Sequence, residues 1–181
     1  MWSALAARGS PHPTEVDMTM VRLVFLMITL VMLVAGSAAA QQPAAPPPYG
    51  PSITLEQAKK ALAGAEAEAR KNNWNVVIAI VDGGGNVVAI HRLDNTQFGS
   101  VEVARQKAWS AVAYRRPTKA FQDAVAGGGA GLRILRLEGA SPLDGGVPIM
   151  LDGKIVGAIG VSGVTGEQDA QIAKAGVDAL K

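Results

Sequence analysis

The 181-residue chain contains two histidines and no cysteine, so imidazole chemistry rests on His12 and His91, and thiolate ligation is excluded. His91 closes an apolar run in "VDGGGNVVAIHRLD" (residues 81–94), where a strand end can hold a ring steadily for metal ligation or proton transfer. The plain alternative is a half-exposed strand residue with no further role. The run "GGGAG" (residues 127–131) leaves backbone N–H groups open to a carboxylate. It lacks the Lys-Ser/Thr ending of a phosphate-binding P-loop and follows a helical pattern instead of opening one, which weighs against a nucleotide. Asp82, Asp94, Asp144 and Asp152 all fall at turns, where Asp bonds its own backbone, and their spacing argues no paired-carboxylate mechanism.

The segments that must position these residues begin after a leader. Arg22 precedes "LVFLMITLVMLVA" (Leu23 to Ala35) and then "GSAAAQQ", the charged start, apolar middle and small-residue end of a secretory signal peptide. The apolar stretch falls short of the roughly 17–25 residues that span a bilayer. Cleavage after Ala40 is expected, with a secreted or periplasmic product that keeps no stable membrane anchor. Residues 1–17 read as an over-extended start, with Met18 or Met20 as initiator, and their removal takes His12 with them. Residues 41–52, "QQPAAPPPYGPS", form a Pro-rich flexible or extended leader, and residues 53–181 form one domain. The net charge of +2 and the lack of a basic block leave a nucleic-acid partner unsupported.

Within the domain, Thr54 with Gln57 makes a capping box, and Leu55, Ala58, Leu62, Ala65 and Ala69 make an apolar stripe, predicting a helix from Leu55 to about Lys71. "NVVIAIVD" (75–82) predicts a strand covered on both faces, and "VVAIHRLD" (87–94) returns from it as a hairpin partner. Ser100 is placed to cap a second helix and Thr118 a third, which Gly127 ends. "LRILRL" reads as a short strand or turn. "VPIMLDGKIVGAIGVSG" predicts a hairpin turning at Asp152-Gly153, with Gly157 and Gly160 marking a close approach by other atoms. Thr165 with Gln168 opens a last helix. Helices added to hairpins predict an α+β fold of the broad α/β type, with helices on a mainly antiparallel sheet.

The phrases "LEQAKKALAGAEAEARKNNWNVVIAIVDGGGNVVAIHRLDNTQFGSVEVARQKAWSAVAYRRPTKAF", "AVAGGGAGL" and "GGVPIMLDGKIVGAIGVSG" resemble the GlcG/HbpS family, also called the haem-degrading domain family, over nearly all of residues 53–181. That resemblance implies an α/β sandwich with a mainly antiparallel sheet, assembly into homo-oligomers, and haem binding in secreted members. Related domains occur beside glycolate-utilisation and cobalamin-linked proteins.

A haem site needs an apolar slot, an axial donor to iron and partners for the propionates. The resemblance makes His91 the candidate iron ligand, with Arg92, Arg116, Thr118 and the backbone of Gly127, Gly128 and Gly129 as candidate haem-binding groups. Arg92 neighbours His91 on an extended strand, so the two side chains share one pocket only if the strand ends there. Arg115 and Arg116 are alternative propionate partners, but the stronger reading is that they oppose the helix dipole from its last turn. Trp109, Tyr114 and Met150 read as packing residues, and Thr118 as a cap whose exposed hydroxyl lies near the glycine loop. The expected function is haem sequestration, buffering or sensing. The alternatives are an enzyme acting on a small organic acid, with His91 as general base, and a corrinoid-associated accessory domain.

Overall fold

"VIAIVD" is β-branched and apolar along both faces, and it forms β1 (Val77–Asp82), buried on both sides of the sheet down to its last residue. The computed structural model describes residues 45–181 together with Arg22. The expected signal segment otherwise lies outside the described residues. No helix among the described residues is long and apolar enough to cross a membrane.

The remaining elements follow in the expected order: α1 (Leu55–Lys71), β1, β2 (Val87–Arg92), α2 (Ser100–Ala113), α3 (Lys119–Ala126), a 3₁₀ segment (Gly129–Arg136), β3 (Gly146–Leu151), β4 (Lys154–Ser162) and α4 (Gly166–Asp178). The four strands make one sheet in the order β2-β1-β4-β3, every neighbouring pair antiparallel. Helices α1 and α4 cover one face, burying Leu62, Ile78, Ile80, Ile159 and Ile172. Helix α2 covers the other, over Val81, Ala158 and Ala79. The result is the expected α+β sandwich.

Local chemistry explains the boundaries. Both capping boxes form: Thr54 accepts from Gln57 N and Thr165 from Gln168 N, with each glutamine side chain returning to the cap backbone. The β3–β4 turn carries Asp152 at φ 50° and Gly153 at φ 72°, the paired left-handed residues of a type I′ hairpin. Gly160 meets a helix backbone: a Cβ there would lie 2.1 Å from Ala104 O of α2. Pro148 sits on the edge strand β3, where a missing N–H costs no ladder bond to a further strand.

Several features depart from expectation. "LRILRL" is neither strand nor simple turn but part of the 3₁₀ segment, none of whose residues is buried. Ser100 does not cap α2; it lies inside the first turn, buried, and its hydroxyl accepts from Ser162 Oγ at 3.2 Å. Met150 is 42% exposed on the sheet edge instead of packed in the core. The leader docks before Ile53: Tyr49 bridges Ile155 of β4, and its hydroxyl donates to Val112 O at 2.8 Å. At the end of β4, Lys107 of α2 reaches Asp169 of α4 from the other face of the sheet, with Nζ 2.8 Å from Oδ2 and both side chains 3% exposed.

Candidate functional site

His91 lies near the end of β2, an edge strand, and pairs with Ile78 of β1. Partners in an antiparallel ladder point to the same face. The imidazole therefore faces the α1 side, where its Nδ1 sits 3.1 Å from Glu66 Oε2. Glu66 is placed one helical turn before Arg70, whose guanidinium donates to its Oε1 at 2.6 and 2.8 Å. The bond from Arg70, and after it the bond from His91, hold the Glu66 carboxyl below its ordinary range, so it is ionised at neutral pH. A carboxylate can only accept at this distance, so Nδ1 carries the shared proton, and a ring with no second proton keeps its lone pair on Nε2. The side chain is 55% exposed.

Around the ring is an open depression of about 390 Å³, lined by Glu66, Arg70, Ile90, Arg92, Leu93 and Asp94. Arg92 pairs with Val77 and so points to the side of β2 opposite His91; the two border the depression from either side of the sheet's edge. No ion pair engages Arg92 among the described residues.

The other candidates lie elsewhere. Thr118, expected to expose its hydroxyl, is fully buried, and that hydroxyl accepts from Gly146 N of β3 at 2.9 Å. It stands at the N-terminus of α3 but makes no capping bond. Arg116 donates from Nε to Tyr114 O at 3.1 Å and lays its guanidinium 5.7 Å from the Phe121 ring centre. Arg115 lies over the Tyr49 ring at 5.6 Å. Gly127 closes α3 with a right-handed backbone, and Gly128 and Gly129, at φ 66° and 51°, turn the chain into the 3₁₀ segment. β2 and β3 are opposite edges of the sheet, about 14 Å apart at roughly 4.8 Å per strand. His91 and Arg92 thus form one group, while Arg116, Thr118 and the glycine loop form another. Within one chain they do not make a single site.

Glu66 went unrecognised in the sequence. It lies 25 positions from His91, and its pairing with Arg70 has the look of any exposed helix pair.

Among the described residues no group of three His, Cys, Asp or Glu side chains could hold a bare ion. A metal that brings its own equatorial donors needs only one imidazole, and His91 Nε2 supplies one. Arg92 adds a cation from across the strand edge, Arg70 is engaged by Glu66, and the apolar surface is small: Ile90 lies on the Arg92 side and Leu93 is buried in the core. Of the groups a haem needs, the depression offers one nitrogen donor in His91 and one cation in Arg92, on an open surface.

Comparison with known proteins agrees with this architecture. Residues 53–178 match the family model described as "Haem degrading protein HbpS-like". The chain is 40% identical to protein GlcG of Escherichia coli K12 over 110 residues, 61% of this chain and 81% of that protein. A crystal structure of HbpS superposes with a TM-score of 0.67 at 30% identity, covering 81% of this chain and 99% of the other. The structure titled "PduOC:Heme Complex" superposes with a TM-score of 0.64 at 29% identity, covering 71% of this chain and 94% of the other. Fold, order of elements and sequence agree over the whole domain: the chain belongs to the haem-degrading HbpS-like family.

Proposed function

We propose that this protein is a haem-binding protein of the periplasm or the secreted space that sequesters, buffers or senses haem, with His91 Nε2 as axial ligand to iron. The supporting observation is the Glu66–His91 pair. A carboxylate fixed by Arg70 sets the imidazole tautomer and orientation, the arrangement that outer-shell carboxylates give to metal-bound histidines. Haem would supply the iron and its four equatorial nitrogens. Of the chain's own residues, Glu66 orients the His91 ring that would hold the iron, and Arg92 would pair with a propionate. A relative crystallised with haem lends the reading weight. The depression is open, and we take a homo-oligomer, the assembly that the family resemblance implies, as the working form, which light scattering on the mature protein measures.

The test is a haemin titration of the mature protein followed at the Soret band, for the wild type and for His91→Ala. The wild type gives a saturable shift, and the variant loses it or binds far more weakly. No saturable change in the wild type overturns haem binding; equal binding by the variant overturns the ligand assignment. A spectrum that persists under reductant and oxygen supports storage, and its decay with release of iron supports degradation.

A further inference from the structure

A further recess among the described residues lies away from His91. Helix α2 turns Arg105, Gln106 and Trp109 outward, and the chain from Leu135 to Ala140 runs past them, leaving an open cleft of about 690 Å³ between. Next to it, Tyr114, Arg116, Phe121, Arg133 and Ile134 line a further 350 Å³, and the two recesses share Arg136 and Leu137. The cleft is built to a fixed shape. Trp109, Tyr114 and Phe121 stack edge to face, with ring centres 6.2 and 5.4 Å apart. The Trp109 ring is wedged between two glycines with left-handed backbones: a Cβ on Gly85 would lie 2.6 Å from Cδ1, and one on Gly139 would lie 2.2 Å from Cζ3. The Tyr114 hydroxyl donates to Glu138 O, tying the end of the 3₁₀ segment to α2.

Charge selects the occupant. Four guanidinium groups border this space, whose apolar surface comes mainly from Trp109, Phe121, Ile134 and Leu137. Arg105 is held by Glu102 at 2.6 Å, whereas Arg133 and Arg136 have no ion-pair partner among the described residues. Glu138 is the one acidic side chain in the lining. The lining offers no histidine, methionine or cysteine, and the Tyr114 hydroxyl is engaged, so nothing there suits an iron centre. An arginine at an apolar wall is a bidentate partner for a carboxylate.

From this geometry we infer that the cleft is a second binding site, separate from His91, for a metal-free carboxylic acid with a flat apolar ring body. The ring lies along Trp109 and Leu137, and the carboxylate is taken by Arg136 with Arg133 beside it. The volume is that of a small-molecule site, commonly about 300–1,000 Å³.

The test uses 1-naphthoate as probe and 1-naphthamide as its uncharged counterpart, titrated calorimetrically into the mature wild type, Arg136→Ala, Arg136→Lys and His91→Ala. Thermal melts check that each variant is folded. 1-Naphthoate binds saturably, while the amide and Arg136→Ala each cost about ten-fold or more in affinity, as expected for loss of a charge-assisted pair. Arg136→Lys recovers part of the loss, and His91→Ala binds as the wild type does. Absence of saturable binding at millimolar probe, equal binding of the amide, or unchanged affinity in Arg136→Ala overturns the inference. Displacement of 1-naphthoate by haemin in His91→Ala would make the cleft the porphyrin site, overturning this assignment and that of His91 together; failure to displace supports two separate sites.

Discussion

Replacing Lys107 by methionine should be among the most damaging changes in the molecule, by a mechanism that pH can expose. Lys107 from α2 and Asp169 from α4 meet with Nζ 2.8 Å from Oδ2, and Nζ also donates to Val161 O at 2.9 Å. Both side chains are 3% exposed. Without the ammonium group, the carboxylate keeps only a donation from Val164 N to Oδ1 at 3.3 Å, with the buried Asp144 nearby. Breaking a buried pair in this way costs about 3–5 kcal/mol, against a total domain stability of about 5–15 kcal/mol. Burial already raises the Asp169 carboxyl above its ordinary value, and the bond from Lys107 opposes that rise. A folded value above the unfolded one means stability falls as pH climbs from the unfolded value through the folded one. Removing Lys107 widens that window. The deficit of Lys107→Met measured by urea denaturation should therefore be larger at about pH 8 than at about pH 5, where the carboxyl more readily takes a proton. The double variant Lys107→Met/Asp169→Leu should recover much of the loss, since an apolar pair leaves no buried charge. Equal deficits at both pH values, or a double variant less stable than Lys107→Met, would refute the reasoning.

Other outcomes follow from single contacts. Glu66→Ala removes the acceptor that fixes the His91 tautomer and should weaken haemin binding by about 10–100-fold without abolishing it, as read in the Soret titration. Gly139→Ala forces a side chain into the Trp109 ring at a backbone φ of 69°, and should cost about 1–3 kcal/mol or more in a denaturant melt. Intact-mass measurement of exported protein should find an N-terminus at Gln41; an uncut chain would contradict the signal-peptide reading.

Much of the fold was legible because its signals are local. Each capping box lies within four residues, the Asp152-Gly153 turn is set by its own two dihedrals, and the burial of β1 on both faces follows from a run without polar interruption. What misled were residues whose partners come from far along the chain. Ser100 has the chemistry of a cap, but Ser162 meets it inside the protein; Thr118 holds the capping position and spends its hydroxyl on Gly146. "LRILRL" has strand-like composition, yet Gly131 presses against Ala124 O of α3, at 1.8 Å from a notional Cβ, and the segment lies on that helix in 3₁₀ turns instead of joining a sheet edge. At the site, a lone imidazole at a strand end was visible in the sequence. The carboxylate that orients it was not, because the approach of α1 to β2 is a property of the packed sandwich.

Histidine content offers a direct route to the central assignment. With the leader removed, His91 is the sole imidazole in the chain. Mature protein labelled with ¹⁵N only at histidine and loaded with ferric haem should show a ¹⁵N hyperfine coupling to iron, distinct from the four unlabelled pyrrole nitrogens. Bound haem with no ¹⁵N coupling would contradict ligation by His91 Nε2.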